Sequence, residues 1–430
     1  MIMKVNEEFL HFIWRHSMYN QRELMDEDGQ DLVIIDRGTY NTNAGPDFLE
    51  AKIKIGNEIW VGSVEIHMKP SEWYNHRHQY DERYSNVILH VVYLIEGEQE
   101  IIRKLNIPTF SLGGRIPRKY LDNYKKLQFY KETLPCRSYV KEMDVELLQV
   151  FYESLLIERF EHKLSFIENL YDTNNNDLEE TTYQMFAYSW GVKINKEAFL
   201  TLSKNTPLRI LRKYRSNLSI MEAFLLGQSG LLQNGPSEEA IVSRWEQEYR
   251  HLTDLYGLEP MLKTCWYFHR LRPRSFPTIR ISLWAKFLFS LYDFGSILIN
   301  GSLKQCLKIL TNLEVSEYWQ SHYIFGVESK SGRKRLGKVG AFQILINAVI
   351  PLRMFYAKLN HVNAEDWHGA LEELSLFAPE NNNIVRKMAD NGFLNLNAAN
   401  SQALLQLHQN YCISKKCLNC RIGNEIIRIR

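Results

Sequence analysis

The sequence lacks an excess of charge of either sign, since 52 Lys and Arg residues stand against 50 Asp and Glu residues in a chain of 430. This balance neither favours nor excludes nucleic acid as a partner, so only local basic patches can indicate one. An apolar leader is also lacking, because Glu7 and Glu8 interrupt the N-terminal segment MIMKVNEEFLHFIW. We therefore expect no secretory signal peptide and a cytoplasmic location.

Long apolar runs without charge are missing as well. The most apolar window, residues 281–299, contains Lys286 and Asp293, and each of these charges costs roughly 2.5–3.5 kcal/mol at the centre of a bilayer. We therefore expect the window to form a buried core helix, and we expect no membrane partner.

Cysteine is scarce, with six residues in the chain. Without a secretory signal, so few cysteines indicate reduced thiols or metal ligands rather than a disulfide framework. Cys265 and Cys306 lie in helical patterns and are expected in the core.

The apolar pattern divides the chain into two parts of different class. The chain is 45% hydrophobic and 24% charged, which is typical of globular proteins. In the first part, the pattern predicts helices, each followed by strands. These are a helix at 5–16, strands at 32–35, 48–55 and 58–68, a helix at 71–85, and strands at 86–94, 101–105 and 109–112. From residue 144 onward, apolar residues recur at three- and four-residue steps, which predicts helices. We expect a mixed α+β protein with an α/β core at 1–115, a linker at 116–143 and a large mainly α-helical domain at 144–430.

Two acidic residues are predicted to lie on neighbouring strands of the first part. Asp47 follows Gly45-Pro46 at the start of one strand, and Glu65 lies on the next. Residues two apart on a strand share a face, so Glu65, His67 and Lys69 are expected to point together toward solvent. Two converging carboxylates suit Mg²⁺ or Mn²⁺, which use few carboxylates together with waters and substrate phosphates. A neighbouring base or cation could then assist hydrolysis.

The helix predicted after these strands carries further polar side chains. His76, His78 and Tyr80 would contact a phosphate or a metal-bound water beside the acids, with His76 and Tyr80 one turn apart. The alternative is an ordinary polar helix face with packed aromatic residues. His90, inside the apolar run NVILHVVY, is expected to be a buried histidine with a hydrogen-bond partner.

The segment that contains Pro46-Asp47 and Glu65 resembles the PD-(D/E)XK nuclease superfamily. The resemblance implies a restriction-endonuclease-like core and metal-dependent phosphodiester hydrolysis, with Asp47 and Glu65 as metal ligands. The position usually held by Lys carries His67, so His67 substitutes for it, Lys69 swings in, or the site is inactive. The resemblance also implies that Glu8 could complete the site.

The whole chain also resembles an uncharacterised bacterial family catalogued as a domain of unknown function. The segments that carry this resemblance are NAGPDFLEAKI, GSVEIHMKPSEWYNHRHQYDERYSNVILHVVY, RLRPRSFPTIR and YCISKKCLNCRIG. This second resemblance implies no activity.

Three cysteines lie close together near the C-terminus. Cys412, Cys417 and Cys420 form the pattern C-x4-C-x2-C, and a metal would need a fourth ligand, either Cys136 or His408. One upstream cysteine with a C-terminal triplet resembles the clasp of iron–sulfur-containing nucleases of the helicase–nuclease class. An iron–sulfur cluster, Zn²⁺ and no metal all stay open at this point.

Two basic segments in the helical part are candidates for contact with nucleic acid. The first holds arginines interleaved with aromatic residues, and the second is a Gly-containing loop, with candidates Arg270, Arg272, Arg274, Arg280, Lys334 and Arg335. Arginines near aromatic rings suit a phosphate backbone and stacked bases. The alternative is that the arginines brace a loop and the aromatic residues are core.

Three functions are compatible with these patterns. The leading hypothesis is a metal-dependent nuclease acting on DNA or RNA. The alternative is a catalytically inactive nucleic-acid-binding or scaffold protein with the same fold, and a third is a hydrolase of a small phosphorylated substrate. The basic segments favour the first two.

Overall fold

The computed structural model of the protein describes residues 5–95, 97–128, 134–232, 239–290, 294–360 and 364–429. Contacts divide the chain into two compact units. The first comprises Met1–Phe151, Asn383–Leu394 and Leu405–Arg430, and the second comprises Tyr152–Asn382 and Asn395–Leu404. The expected mixed α+β class is confirmed.

A mixed sheet forms the centre of the first unit. Its strands are β1 (Leu32–Asp36), β2 (Thr39–Tyr40), β3 (Phe48–Ile55), β4 (Glu58–His67), β5 (Val87–Val92) and β6 (Thr109–Ser111). The strand order is β1-β3-β4-β5-β6, with β2 also paired to β3. Pairing is antiparallel from β1 to β4, whereas β5 is parallel to both β4 and β6.

The sheet follows from the apolar pattern of its strands. The predicted hairpin is present, because β3 and β4 meet at the pair Ile55 and Glu58 across Gly56-Asn57. Every residue of β5 is buried, as its continuous apolar run predicts for a central strand. On β4, Val64 and Ile66 face an apolar core shared with the first helix, so Glu65 and His67 occupy the opposite face.

The helices of the first unit cover the sheet. Those of its N-terminal segment are α1 (Glu7–Arg15), α2 (Glu72–Asn75), α3 (Gln99–Leu105), α4 (Arg118–Gln128) and α5 (Arg137–Glu142). Residues 116–143 are therefore not a linker, since α4 buries Leu121, Tyr124 and Leu127 in the core of the sheet. The physical reason is the three-residue spacing of these apolar side chains, which gives α4 one apolar face.

Two other predicted elements of this part are also corrected. Residues 101–105 form the end of helix α3 rather than a strand, and Asn106 ends that helix in the left-handed conformation. The helix predicted at 71–85 is broken, because Arg77 also has a left-handed backbone, with φ of 63°. After Arg77 the chain continues in single 3-10 turns at His78–Tyr80 and Glu82–Tyr84.

The C-terminal segment belongs to the first unit rather than to the predicted domain 144–430. It holds a π-helical turn at Leu407–Cys412, a 3-10 turn at Cys417–Asn419 and the terminal helix at Arg421–Arg428. Leu418 and Ile427 are buried in the core beneath the sheet. These apolar side chains bind the end of the chain to its beginning.

The second unit is helical apart from one small hairpin among the residues that the structure describes. Helix α6 (Val145–Thr173) begins in the first unit and continues into the second. The second unit then holds α7 (Leu178–Trp190), α8 (Lys196–Asn205), α9 (Leu208–Leu211), α10 (Leu218–Gln228), α11 (Ala240–Tyr256), α12 (Pro277–Ser290), α13 (Phe294–Asn300), α14 (Leu303–Asn312), α15 (Glu317–Ser321), α16 (Lys338–Ile344), α17 (Ile350–Leu359), α18 (Ala364–Ser375) and most of α20 (Ala398–Gln406). Helices α19 (Asn383–Asp390) and α21 (Arg421–Arg428) and the end of α20 lie in the first unit. The hairpin is β7 (His322–Ile324) with β8 (Val327–Glu328).

The core of the second unit is built on two apolar helical stretches. Helix α12 is buried along most of its length, including Trp284 and Phe287, so residues 281–290 of the apolar window form a core helix as expected. Residues 294–299 of the window belong to a separate helix, in which Leu298 is buried and Ile297 is 39% exposed. A π-helical turn at Leu345–Val349 joins α16 to α17. By length and composition the resulting helix, Lys338–Leu359, could cross a membrane, but 61% of its apolar window is buried inside the protein. Cys306 lies in the core as expected, whereas Cys265 is exposed in a 3-10 turn.

The return of the C-terminus to the sheet predicts a difference between two isoleucines. Ile427 is fully buried, whereas Ile429 is 45% exposed. We expect Ile427→Ala to lower the free energy of unfolding by about 2–5 kcal/mol, as for other buried apolar truncations, and Ile429→Ala to change it little. Urea unfolding followed by tryptophan fluorescence measures both. Equal effects of the two substitutions would contradict the packing.

Candidate metal centre

Asp47 and Glu65 are locked together by reciprocal hydrogen bonds across β3 and β4. The backbone N–H of Asp47 donates to Oε2 of Glu65 at 3.1 Å, and the backbone N–H of Ile66 donates to Oδ2 of Asp47 at 2.9 Å. Each carboxylate therefore keeps one oxygen on a backbone donor. The two acids therefore lie side by side, as the sequence predicted.

A β-bulge places Asp47 beside Glu65. The register of β3 and β4 shifts between Phe48 and Ala51, and Glu50 within this interval has a φ of 59°. A bulge adds a residue to one strand and re-aims its side chains. The strain of a left-handed Glu is therefore part of how the strand presents Asp47.

Three imidazoles and one carboxylate converge at the end of β4. The Nε2 atom of His67 lies 3.4 Å from Oε1 of Glu65, 3.2 Å from Nδ1 of His76 and 3.3 Å from Nε2 of His78. The Nε2 atom of His78 lies 3.2 Å from the same oxygen of Glu65. Ligands around a tetrahedral metal with bonds of about 2.0–2.1 Å are roughly 3.3 Å apart, and these four separations match that spacing. The ligand atoms of His67, His76 and His78 all lie within 4.8 Å of one another.

The turn at Arg77 brings two of the imidazoles to this point. On a continuous helix, His76 and His78 would diverge by about 200°, because residues two apart do not share a face. The left-handed backbone of Arg77 reverses the chain, so both rings reach His67. Tyr80, which was predicted to join them, is 82% exposed and lies away from the cluster.

Aromatic packing holds His78 in place. Its ring is stacked on Tyr84, with centroids 3.8 Å apart, and on His67 at 5.2 Å. Trp73 meets the rings of His67, His78 and His90 edge-on. This packing fixes the ring orientation before any ligand is bound.

His90 fixes the ring of His67 from behind. The Nδ1 atom of His67 lies 2.8 Å from Nε2 of His90, which is a hydrogen bond that leaves the Nε2 lone pair of His67 directed at the cluster. Burial and the four neighbouring imidazoles lower the pKa of His67 to about 2. The ring is therefore neutral at physiological pH, as a metal ligand must be, and the expected hydrogen-bonded role of His90 is confirmed.

A second group of possible ligands adjoins the first. Oxygen or nitrogen atoms of Glu7, His11 and Asp47 lie within 4.8 Å of one another. The Nε2 atom of His11 is buried and lies 3.2 Å from Oδ2 of Asp47 and 3.8 Å from Oε1 of Glu7. Burial would lower the pKa of His11, but its pairing with Asp47 and the charge of Glu7 raise that pKa. The acid that α1 contributes is thus Glu7, because Glu8 is exposed on another side of the helix.

The acids of the centre repel one another when no cation is present. Burial and the nearby Asp47 raise the pKa of Glu65, and burial also raises the pKa of Glu7. A bound divalent cation favours the ionised carboxylates by direct attraction. The electrostatics of this cluster therefore suit a cation.

Two expectations about β4 are corrected. Glu65 and His67 are 4% and 0% exposed, so their face is covered rather than open to solvent, because the turns at 72–84 pack over it. Lys69 lies past the end of the strand and is exposed. Its backbone N–H donates a hydrogen bond to Oε2 of Glu72 at 3.3 Å. The lysine therefore takes no part in the cluster.

Four cysteines line one cavity in the first unit. Cys136, Cys412, Cys417 and Cys420 surround a space of about 80 Å³, as the spacing of the tail and the position of Cys136 predicted. Burial raises the pKa of Cys136 to about 12 and that of Cys420 to about 11, with the neighbouring cysteines adding to the effect at Cys136. His408 does not line this cavity.

The sulfur atoms stand too far apart for a single zinc ion. Around Zn²⁺, sulfur ligands at 2.3 Å would be about 3.8 Å from one another. In the described chain, two groups of three ligand atoms lie within 4.8 Å of one another, and neither contains a sulfur atom. The space between the thiols is thus larger than one zinc ion requires.

The predicted basic residues are divided by the structure. Arg272, Arg274, Arg280 and Arg335 line one cleft of the second unit, whereas Arg270 does not. Lys334, expected on an exposed loop, is 3% exposed. Its Nζ donates to the carbonyl of His322 at 2.7 Å and lies 3.6 Å from the ring centre of Tyr323, so its long side chain is used in packing.

Glu7 and His11 were missed by the sequence reasoning. They lie four residues apart on α1, so they share one helix face. An acid and an imidazole at this spacing, on the helix that precedes the sheet, were the available signal. The resemblance pointed to Glu8 instead, because a single acid on a helix does not indicate which face is used.

Comparison with known proteins gives one match. The model of a family described as "Protein of unknown function (DUF2851)" matches residues 7–383. No curated protein matches the chain, and no solved structure matches it.

The His67 cluster predicts metal binding that depends on its central ring. We expect His67→Ala to abolish binding of Zn²⁺ or Mn²⁺ at this cluster, because it removes the atom that the other ligands surround. Isothermal titration of chelator-treated protein measures affinity and stoichiometry. His251→Ala, an exposed histidine of α11, is the matched control and should bind as the wild type does. Unchanged binding by His67→Ala would refute the site.

The hydrogen bond from His90 predicts a smaller effect. Residues that orient a metal ligand typically contribute 10–100-fold to metal affinity, so we expect His90→Ala to weaken binding by that factor with unchanged stoichiometry. The same titration checks it. Loss of a whole metal equivalent would instead make His90 a direct ligand.

Proposed function

We propose that this chain, which belongs to the DUF2851 family of proteins of unknown function, is a metal-dependent hydrolase that cleaves phosphodiester bonds of DNA or RNA. The observation that carries the proposal is the meeting of two ligand groups at one sheet position. One group is Glu65 with three imidazoles, and the other is Glu7, His11 and Asp47. The hydrogen bonds between Asp47 and β4 join the two groups.

We choose phosphodiester chemistry because of the order of the helices and strands and because of the acid motif at Pro46-Asp47 and Glu65. The chain runs from a helix through four strands, of which β2 has only two residues, to a helical turn and a buried parallel strand. Apart from the short β2, this is the order of the restriction-endonuclease-like core. Pro46-Asp47 and Glu65 stand where the PD-(D/E)XK pattern has its two acids. Adjacent metal sites built from carboxylate and imidazole ligands are typical of phosphodiester hydrolysis.

The ligand set decides which metal we propose. Mg²⁺ prefers oxygen ligands and near-octahedral geometry, and the three imidazoles of His67, His76 and His78 do not fit it. Imidazole with carboxylate suits Zn²⁺, Mn²⁺ or Fe²⁺. Such a metal would lower the pKa of a coordinated water and polarise a phosphoryl oxygen.

The protein's own groups would hold and orient the reacting atoms. His76 is exposed, whereas His67 is buried and His78 is partly buried, so the substrate would approach from the side of His76. Asp47 and Glu65 are held by backbone donors, which limits their movement. His11, whose buried Nε2 lies 3.2 Å from Oδ2 of Asp47, is placed to bind the second cation or to accept a proton.

A noncatalytic role is the second candidate. The PD-(D/E)XK pattern has a lysine where this chain has His67, and Lys69 is exposed outside the cluster. A lysine there would steady negative charge that develops on the phosphate. A nucleic-acid-binding or scaffold protein that keeps the metal but does not cleave is the outcome if no substrate is hydrolysed.

For the four cysteines we propose an iron–sulfur cluster. The cavity that they share is wider than a single zinc ion requires, and Cys136 comes from a segment far from the tail in sequence. A cluster would tie the C-terminal segment to the helices that follow the sheet. Its role would be structural, because metal binding by thiolates is coupled to folding.

The acid pair predicts the loss of cleavage. We expect Asp47→Asn and Glu65→Gln each to reduce the rate by about a thousandfold, since each removes a ligand whose metal is worth several kcal/mol in the transition state. Cleavage of single- and double-stranded DNA and RNA with Mn²⁺ or Zn²⁺ is the measurement. Lys69→Ala is the control and should leave the rate unchanged. Cleavage that survives Glu65→Gln, or that depends on Lys69, would overturn the assignment.

The cysteine cavity predicts bound iron and sulfide. Protein purified without oxygen should be brown, and Cys136→Ser should lose the iron, because it removes one of four ligands. Elemental analysis and visible absorption measure this. His408→Ala should keep the iron, since His408 does not line the cavity. A colourless protein with one zinc ion would contradict the cluster.

A further inference from the structure

A cleft in the second unit is lined by cations and by no acid. It has a volume of about 820 Å³ and lies among the residues that follow α7, the segment before α12 and the beginning of α16. The basic residues of its lining are Lys193, Arg272, Arg274, Arg280 and Arg335, and neither Asp nor Glu is among the lining residues. A concave surface with one sign of charge attracts ligands of the other sign.

Arg280 is the unusual member of this group. It lies on α12 and is only 7% exposed, and its Nε and Nη1 atoms are buried without a hydrogen-bond partner. Burying a charged group without a partner costs several kcal/mol. The described residues supply no counterion to this guanidinium, so a bound anion would satisfy it.

The guanidinium also lies against the positive end of a helix. Gly340 lies in the first turn of α16 and has no side chain. A Cβ atom at this position would be 3.1 Å from Nη2 of Arg280, so the guanidinium lies against the first turn of α16. The first hydrogen bond of this helix runs from the N–H of Ala341 to the carbonyl of Gly337, and Gly337 provides no side-chain cap. The N–H groups of residues 338–340 are thus open to a ligand, and helix N-termini attract anions.

Other cations reinforce the positive potential. Burial and the nearby Arg274 lower the pKa of Lys334, which lies beside Arg335 in the chain but does not line the cleft. Arg335 is partly neutralised, because its Nη2 is 3.1 Å from Oε2 of Glu314. Arg272 and Arg274 are exposed at the cleft and can turn toward a ligand.

The backbone of the cleft is strained at one position. Val192, which lines it, has a φ of 56°, a conformation that β-branched residues rarely adopt. Strain of this kind concentrates at ligand-binding sites. The strained turn therefore lies where the cations converge.

We propose that this cleft binds the phosphoryl group of a nucleotide-sized ligand, with Arg280 as the buried anchor. Arginine and helix N–H donors together suit the several oxygens of a phosphate. The volume is in the range of small-molecule sites, and the apolar lining residues Trp190, Phe199 and Leu336 suit an organic body attached to the phosphate. The inference does not depend on the proposed hydrolase, because the cleft and the metal centre lie in different units.

The phosphate could come from a free nucleotide or from the 5′ end of a nucleic-acid strand. Binding is measured by isothermal titration on the full chain that carries Glu65→Gln, so that cleavage cannot consume the probe. The probes are inorganic phosphate, adenosine 5′-monophosphate, and one short oligonucleotide with a 5′-phosphate or a 5′-hydroxyl. We expect the phosphorylated probes to bind. If adenosine 5′-monophosphate binds as tightly as the 5′-phosphorylated oligonucleotide, the ligand is a free nucleotide. If only the 5′-phosphorylated oligonucleotide binds, the ligand is the 5′ end of a strand.

Substitution of Arg280 separates the proposal from a structural role. We expect Arg280→Met to weaken phosphate binding roughly 10- to 100-fold, since hydrogen bonds to charged groups are among the strongest, and to leave the thermal stability of the free protein unchanged or higher, because an unpaired buried charge is removed. Arg250→Ala, an exposed arginine of α11 outside the cleft, should bind normally.

A second variant keeps the test decisive if Arg280→Met does not fold. The double substitution Arg272→Ala with Arg274→Ala changes only exposed side chains and should also weaken phosphate binding. Equal binding of the 5′-hydroxyl and 5′-phosphate strands, no binding of any phosphorylated probe, or undiminished binding by the Arg280 or double variants would overturn the proposal.

Discussion

The metal centre depends on one constraint, which is that Glu65 and His67 are buried on a strand whose two faces are both covered. A buried carboxylate and a buried imidazole must find partners, or the fold loses several kcal/mol. The backbone N–H of Asp47 supplies one partner for Glu65, and His90 supplies one for His67. The remaining ring nitrogens of His67, His76 and His78 and Oε1 of Glu65 lie near one another, and a cation bound among them would be coordinated by several of these atoms at once.

Much of the surrounding structure can be understood as support for that point. The bulge in β3 presents Asp47, the left-handed Arg77 returns His76 and His78 to the strand, and Trp73 packs against three of the rings. Strained backbone that persists in a fold is a reason to suspect a ligand.

The sequence predicted the parts of this arrangement that depend on local pattern. Alternating apolar residues predicted the β3–β4 hairpin, and the Pro-Asp motif with Glu65 predicted the acid pair. It could not predict the turn at Arg77, because a left-handed Arg has no composition signal and the segment otherwise favours a helix. The same limit applies to Lys334, whose burial depends on a ring and a carbonyl from the neighbouring hairpin.

The most direct test of the account is anomalous X-ray diffraction from crystals of the full chain grown with Zn²⁺ or Mn²⁺. We predict a peak at the metal absorption edge among Oε1 of Glu65, Nε2 of His67, Nδ1 of His76 and Nε2 of His78, with bonds of about 2.0–2.2 Å. A second peak beside His11 and Asp47 would support a two-metal centre. Ordered side chains with no anomalous peak between them, in crystals that contain the metal, would contradict the central claim.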